Sequence, residues 1–276
     1  EDLAAYEPVV RPALAGRVGG WRVATNPPPA IGGVTLGAML GLMNDRPAAG
    51  WTDAELAHLV EVQERVLGYR RERVDLREDV VAAIEELRAA FASPSTVHTS
   101  AVDAAGLACA ITLSAGYGSG VMTPGTGLWM NNCLGEVELN RRGLHAWPVG
   151  ARLVSNMAPT VARSDDGAVL AIGSPGADRI TTAILQAFVN HANAGMPLDE
   201  AIAHPRLHVE LTDEGPRVAA EPGIGGPVGE LPWRYYPGPS MYFGGVGAVC
   251  WSADDGFVAA ADPRRAGATA IVAPEG

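Results

Sequence analysis

Ser93-Pro94-Ser95-Thr96-Val97-His98-Thr99-Ser100-Ala101-Val102-Asp103 is the stretch on which the reading of this chain turns. Ser93-Pro94-Ser95 breaks a helical pattern and reads as an exposed linker. After it, Val97–Asp103 favours a strand, so Thr96 stands between an exposed loop and the head of a strand. A threonine in mid-chain is ordinarily just a strand former. It becomes chemically special if the Ser95–Thr96 bond is cut, because its hydroxyl then lies beside its own α-amino group, with a reference pKa of about 7.7–8.0. Such an amine can take the hydroxyl proton near neutral pH, so one residue supplies both nucleophile and base.

Upstream of this point the pattern is helical. Thr52-Asp53-Ala54-Glu55 is a capping box, and Leu56, Leu59, Val60, Gln63, Val66 and Leu67 follow at helical spacing. Asp75 with Glu78 reads as another cap, ahead of a buried stripe of Val80, Val81, Ile84, Leu87 and Phe91. Earlier still, a short apolar helix is expected from Val34 to Asn44, and residues 1–33 read as irregular apart from a strand near Gly20–Thr25. Downstream, strands are expected at Leu107–Ser114, Ala151–Met157, Ala168–Gly173, Leu207–Leu211, Arg217–Ala220, Gly247–Trp251 and Phe257–Ala261. One strong helix interrupts them from about Arg179 to Asn193, with Gly195 as its stop. Helices first and strands later, around one core, suggest a layered α+β architecture.

Composition narrows the chemistry. The chain has 276 residues, 47% of them hydrophobic, enough for a sizeable core. The net charge of −11 offers no basic field for nucleic acid. No apolar run reaches the roughly 18 residues of a spanning helix. Every Lys/Arg position is arginine, which removes lysine Schiff bases and the phosphate-loop lysine. Cys109, Cys133 and Cys250 form neither a disulfide framework nor a CxxC zinc pattern and read as free thiols. Gly116-Tyr117-Gly118-Ser119-Gly120 lacks nucleotide-loop spacing, and there is no GxSxG. His204 and His208 have the i,i+4 spacing of a zinc pair, but Pro205 sits between them and no HExxH exists. An N-terminal threonine needs no metal or cofactor, which fits what remains.

Several segments, in order, resemble the γ-glutamyltranspeptidase family of N-terminal-nucleophile hydrolases. EDLAAY and ATNPPPAIGG resemble the later part of the family's large subunit, and TVHTSAVD at Thr96–Asp103 the start of its small subunit. ITLSAGYGSGVMTPGTGLWMNN at Ile111–Asn132, Ser155-Asn156-Met157-Ala158-Pro159, GSPGADRI at Gly173–Ile180 and ADPRRAGA at Ala261–Ala268 continue the likeness over nearly all of the chain. The resemblance implies a four-layer αββα sandwich lacking the family's N-terminal part. Residues 1–95 would be the end of a large-subunit-like segment and 96–276 the small-subunit-like catalytic segment, both in one structural domain.

The resemblance also implies roles. The precursor would cleave itself between Ser95 and Thr96, and Thr96 would then be the nucleophile for turnover. Thr112 matches a second threonine that supports the nucleophile, and Gly176 and Ala177 match a Gly-Gly pair whose N–H groups form the oxyanion hole. Free N–H groups ahead of the strong helix suit that task in their own right. Ser155 and Asn156 match a serine pair that holds the substrate carboxylate, with Asn156 replacing the second serine. Ser114, Cys133 and Glu136 stand where asparagine, glutamine and aspartate are usual. The chemistry residues therefore persist better than the recognition residues. The expected substrate is a small γ-glutamyl amide or another amide, resolved by water or an acceptor amine. The alternatives are an acylase of the same superfamily for a non-glutamyl acyl group, and a non-catalytic relative serving in binding or assembly. The family's large-subunit front, or a second chain, is the expected protein partner. The family is typically exported or held at the cell envelope, although no signal segment opens this chain.

Overall fold

The computed structural model describes residues 5–48, 50–75, 97–116, 118–136 and 140–272. The expected helix through Val80–Phe91, the linker, and both Ser95 and Thr96 lie outside the described residues.

The strands β1 (Leu14–Val18) and β2 (Trp21–Thr25) form a hairpin, followed by helices α1 (Ile31–Met43) and α2 (Asp53–Arg73). The expected capping box is present: the Thr52 hydroxyl accepts from the Glu55 N–H at 3.3 Å, and the Glu55 carboxylate accepts from the Thr52 N–H at 2.9 Å. Then come the hairpin β3 (Val97–Val102) and β4 (Ala108–Leu113), the strands β5 (Thr160–Ser164) and β6 (Val169–Gly173), and the helices α3 (Ile180–Ala192) and α4 (Leu198–Ala203). Strands β7 (Leu207–Thr212), β8 (Gly215–Ala220), β9 (Trp233–Tyr235), β10 (Gly247–Ser252) and β11 (Gly256–Ala261) complete the order.

A six-stranded antiparallel sheet in the order β1-β2-β5-β6-β10-β11 is the centre of the molecule. Every residue of β6 is buried, as expected of a strand covered on both faces. Helices α1 and α3 pack together on one face of the sheet. The β3–β4 hairpin lies across β6 and β10 as a second β layer on the other. Burial alternates along β4, with Ala108, Ala110 and Thr112 turned toward the sheet and Cys109, Ile111 and Leu113 exposed. A smaller sheet, β7-β8-β9, packs against α2, where the buried Gln63 carboxamide accepts from the Val209 N–H at 2.9 Å. Among the described residues no helix is long and apolar enough to cross a membrane.

Some local expectations give way. Ala151–Met157 is not a strand: only Ser155 bridges, to Ala30, and its carbonyl accepts from the Gly32 N–H at 3.1 Å. The chain there is taken up by the glycine-rich entry to α1 rather than by a sheet neighbour. The helix that Asp75 was expected to cap lies outside the described residues; the Asp75 carboxylate itself receives Arg70 and Arg141, each at 2.9 Å. The front of the chain is less irregular than its composition suggests, because β1 finds a partner in β2. β5, α4 and β9 are short elements whose pattern is too brief to stand out.

The ADPRR motif proves structural. Arg206 pairs with Asp262 at 2.7 Å, Arg264 with Asp262 at 3.1 Å and with Glu221, all almost wholly buried. Asp262 also accepts from the Val246 N–H at 2.8 Å, which anchors the segment leading into β10. Burial pushes the Asp262 carboxyl up, but Arg206 and Arg264 outweigh it and hold it below the usual range. Asp262→Asn would leave two buried guanidiniums short of a counter-charge, and is expected to destabilise the fold by about 3–5 kcal/mol in urea unfolding.

Candidate active site

Strand β3 begins immediately after Thr96, and its pairing with β4 sets His98 opposite Thr112. Both side chains turn toward the central sheet. The His98 ring meets the Thr112 hydroxyl through Nδ1 at 2.9 Å and the Ser100 hydroxyl through Nε2 at 2.7 Å, and Ser100 donates to the Gly247 carbonyl at 3.3 Å. The ring lies against Gly173, where an added Cβ would come within 2.2 Å of it. Hairpin and sheet therefore meet at the last residue of β6, just before the Ser174-Pro175-Gly176-Ala177 loop. Burial drives the His98 pKa down to about 4, so the ring is neutral at physiological pH.

That loop is tightly held. The Ser174 hydroxyl accepts from the Gly245 N–H at 3.0 Å and donates to the Pro175 carbonyl at 2.6 Å. Gly176 (φ 136°) packs on Gly244, where an added Cβ would sit 2.7 Å from the Gly244 Cα. Ala177 has φ 50°, a left-handed conformation that a side chain resists. Asp178 faces Arg70 at 3.4 Å and Arg141 at 3.9 Å, and Arg179 donates to the Tyr242 carbonyl at 3.0 Å. Among the described residues the N–H groups of Gly176 and Ala177 have no acceptor. They precede the N-terminus of α3, whose dipole favours negative charge. A groove of about 630 Å³ runs past this region, lined by His98, Ser100, Pro175, Gly245, Gly247 and Arg265.

The residues expected from the resemblance to recognise the substrate make two sets of contacts. Ser114, Cys133 and Glu136 come together: the Cys133 thiol lies 4.0 Å from the Ser114 hydroxyl, and Glu136 is buried beside it. Burial raises the Cys133 pKa, and the neighbouring Glu136 carboxylate raises it further. Gly116 makes this approach feasible, since an added Cβ would be 2.8 Å from the Glu136 carboxylate. Ser155 and Asn156 are held by the segment entering α1. The Ser155 hydroxyl accepts from the Met157 N–H at 3.2 Å. Asn156 is buried, and among the described residues neither its Oδ1 nor its Nδ2 has a hydrogen-bond partner. Ser155 borders an open cleft of about 1010 Å³ lined also by Tyr6, Arg11, Asn26 and Arg152.

The sequence reading passed over His98, Gly173 and Asp178 as participants. His98 and Ser100 share a strand face and meet Thr112 in register, a signal that needs the β3–β4 pairing to be seen.

Gly173→Ala is expected to push the His98 ring off Thr112 and to cost about 1–3 kcal/mol, measured by urea unfolding. Acid should destabilise the fold early. Burial holds His98 near 4 and His208 near 3, whereas the unfolded chain protonates histidine near 6.5, so the unfolded state binds more protons below that value. Stability should therefore fall already between about pH 6.5 and 5, above the carboxylate range, as read from the urea midpoint.

The family model described as Gamma-glutamyltranspeptidase matches residues 64–272. The Glutathione hydrolase proenzyme of Escherichia coli (strain K12) is 28% identical over 260 aligned positions, covering 78% of this chain and 44% of the relative. The Acylase ACY 1 proenzyme of Pseudomonas sp. (strain V22) is 28% identical over 300 positions, covering 92% of this chain and 52% of the relative. The chain thus spans about half the length of the curated relatives it matches. Among solved structures, a γ-glutamyltranspeptidase from Pseudomonas nitroreducens complexed with L-DON matches with a TM-score of 0.53 at 26% identity, over 64% of this chain and 100% of that one. Cephalosporin acylase from Bacillus halodurans matches with a TM-score of 0.69 at 20% identity, over 95% of this chain and 53% of that one, and so speaks to fold alone. The sheet, its helical cover and the stacked hairpin are accordingly those of an N-terminal-nucleophile hydrolase sandwich. With a match across most of its length, the chain belongs to the γ-glutamyltranspeptidase family.

Proposed function

We propose that this chain is the catalytic part of an amide-cleaving acyltransferase or hydrolase that is cut before Thr96 and uses Thr96 as its N-terminal nucleophile. The observation that carries the reading is the meeting of two features. A hairpin that starts next to Thr96 presents Thr112 and His98 to the central sheet, and the adjoining loop offers the unpartnered N–H groups of Gly176 and Ala177. In this reading Thr96 Oγ attacks the amide carbonyl while its α-amine takes the hydroxyl proton and returns it to the leaving amine. The oxyanion is received by the Gly176 and Ala177 N–H groups. Water or an acceptor amine then resolves the acyl-enzyme and regenerates the threonine. Self-cleavage uses the same hydroxyl against the Ser95 carbonyl, through an N-to-O acyl shift.

The acyl group is a separate matter. Ser114, Cys133 and Glu136 form one cluster, but their side chains differ in length and hydrogen-bonding capacity from the asparagine, glutamine and aspartate of γ-glutamyl recognition. Asn156 brings a buried carboxamide to a position where the resemblance has serine. These changes, with a relative named as an acylase matching 92% of the chain, favour a second reading as an acylase for a non-glutamyl acyl group. On the other side of the hairpin, the exposed Leu107, Ile111 and Leu113 present an apolar face. We assign its cover to the family's remaining large-subunit segment or a second chain.

Intact mass of the full-length protein tests the first claim: two polypeptides divided between Ser95 and Thr96 are expected, and one uncut chain for Thr96→Ala. An uncut, inactive unmutated protein would make this a non-catalytic member. Rates on γ-glutamyl against simple acyl anilides decide the donor, with the acylase reading predicting at least about 10-fold preference for the latter, the discrimination of roughly 1.4 kcal/mol.

A further inference from the structure

We infer that Asp178 is a positioning residue: gripped by Arg70 and Arg141, its carboxylate holds the neighbouring Ala177 in the left-handed shape that orients the Gly176 and Ala177 N–H groups. The inference rests on the reading of those N–H groups as the oxyanion site, and it deepens that reading by naming the side chain that keeps them aimed.

Residue and backbone are mismatched at position 177. Ala177 has φ 50°, where a Cβ crowds the following carbonyl oxygen, so an alanine left to itself takes the right-handed shape. Gly176 carries its own φ of 136° freely, having no Cβ. Contacts from outside the local chain must therefore hold Ala177. On its N-terminal side Gly176 is pressed on Gly244. On its C-terminal side the Asp178 carboxylate meets Arg70 Nη1 at 3.4 Å and Arg141 Nη2 at 3.9 Å. Neither guanidinium is at liberty to follow the loop. Arg70 Nε and Arg141 Nε each donate to Asp75 at 2.9 Å, and the Arg70 and Asp75 side chains are almost wholly buried. The four groups make an alternating square that joins the last turn of α2, the chain beyond Glu136 and the glycine loop. An Asp178 that swung with a relaxing Ala177 would leave that square short of a negative charge, which burial makes costly.

Charge alone gives Asp178 no favourable part in the reaction. A carboxylate one residue from these N–H groups opposes negative charge on a substrate oxygen, and its two guanidinium partners offset that field. Neutralising Asp178 makes the surroundings of the N–H groups more positive. An electrostatic role therefore predicts a faster enzyme on neutralisation, and a positioning role a slower one. The sign of the change separates the two. No covalent bond of Asp178 changes in the reaction.

The first test needs no turnover. In isotope-labelled full-length protein, the φ-sensitive NMR couplings of Ala177 should report a positive φ, and in Asp178→Asn they should move toward a negative one. Couplings that the substitution leaves unchanged overturn the inference. The second test is kinetic. Asp178→Asn should lower kcat about 10-fold, the order of the preference of an alanine for the right-handed shape, with KM changed less than about 3-fold. In an Ala177→Gly background the left-handed shape carries no penalty, and there the same substitution should lower kcat less than about 3-fold relative to Ala177→Gly alone. The urea midpoint should fall in both backgrounds, since the ion pairs are lost in both, so a role in stability alone would not be relieved by glycine. Arg141→Gln is the milder variant should Asp178→Asn fail to fold, because it leaves Arg70 on Asp75. It should lower kcat about 5-fold, again only beside alanine. A kcat that rises in Asp178→Asn, or losses of equal size in the two backgrounds, overturn the inference. An unmutated protein that is uncut and inactive defeats the reading of the site instead, and the Ala177 couplings still decide whether Asp178 holds the loop.

Discussion

The seating of one imidazole on one glycine holds this architecture together where it matters. The two-stranded β3–β4 layer meets the central sheet through small and polar groups, with His98 seated against Gly173. A larger residue at Gly173 would push the layers apart, and a shorter one at His98 would leave a gap between them. The same contact sets the distance between the hairpin that follows Thr96 and the loop that ends β6. Layer spacing and site geometry are one constraint, and sheets stacked face to face have little freedom to adjust it.

A second constraint acts from the far side of the loop. Gly176 and Ser174 dock on Gly244 and Gly245, and the segment carrying those glycines is anchored through Val246 to Asp262. Asp262 belongs to a buried cluster with Arg206, Arg264 and Glu221. Such clusters add little net stability over apolar packing, but they penalise misplacement strongly because an unpaired internal charge is so costly. The ADPRR motif thus bears on the site at one remove, by fixing the backbone on which the glycine loop rests.

How much of this was legible in the sequence depends on the distance over which the signal acts. The capping box at Thr52 and Glu55, the helix ending before Gly195, and the β4 and β6 strands are local patterns, and they appear close to where they were expected. Ala151–Met157 has strand-like composition but no strand partner, since Ser155 is engaged by Gly32 instead. Composition cannot report that. Among site residues, Ser114, Cys133 and Glu136 were identified by position in a family pattern, and the fold brings those three together. His98 stood in the quoted motif without a role, because its partner Thr112 is fourteen residues on and only the hairpin register joins them. Asp178 was equally silent, as its partners Arg70 and Arg141 lie on separate elements.

Ala177 adopts a backbone shape that L-residues avoid, at a cost of about 1–2 kcal/mol. The docking of its neighbours Gly176 and Asp178 holds that shape in place in the folded chain itself. The two amide dipoles there are consequently aimed in advance. Under the proposed reading of these N–H groups as an oxyanion site, the peptide units would have nothing left to rearrange as charge builds on a substrate oxygen, and orienting them would be the work of folding rather than of each turnover.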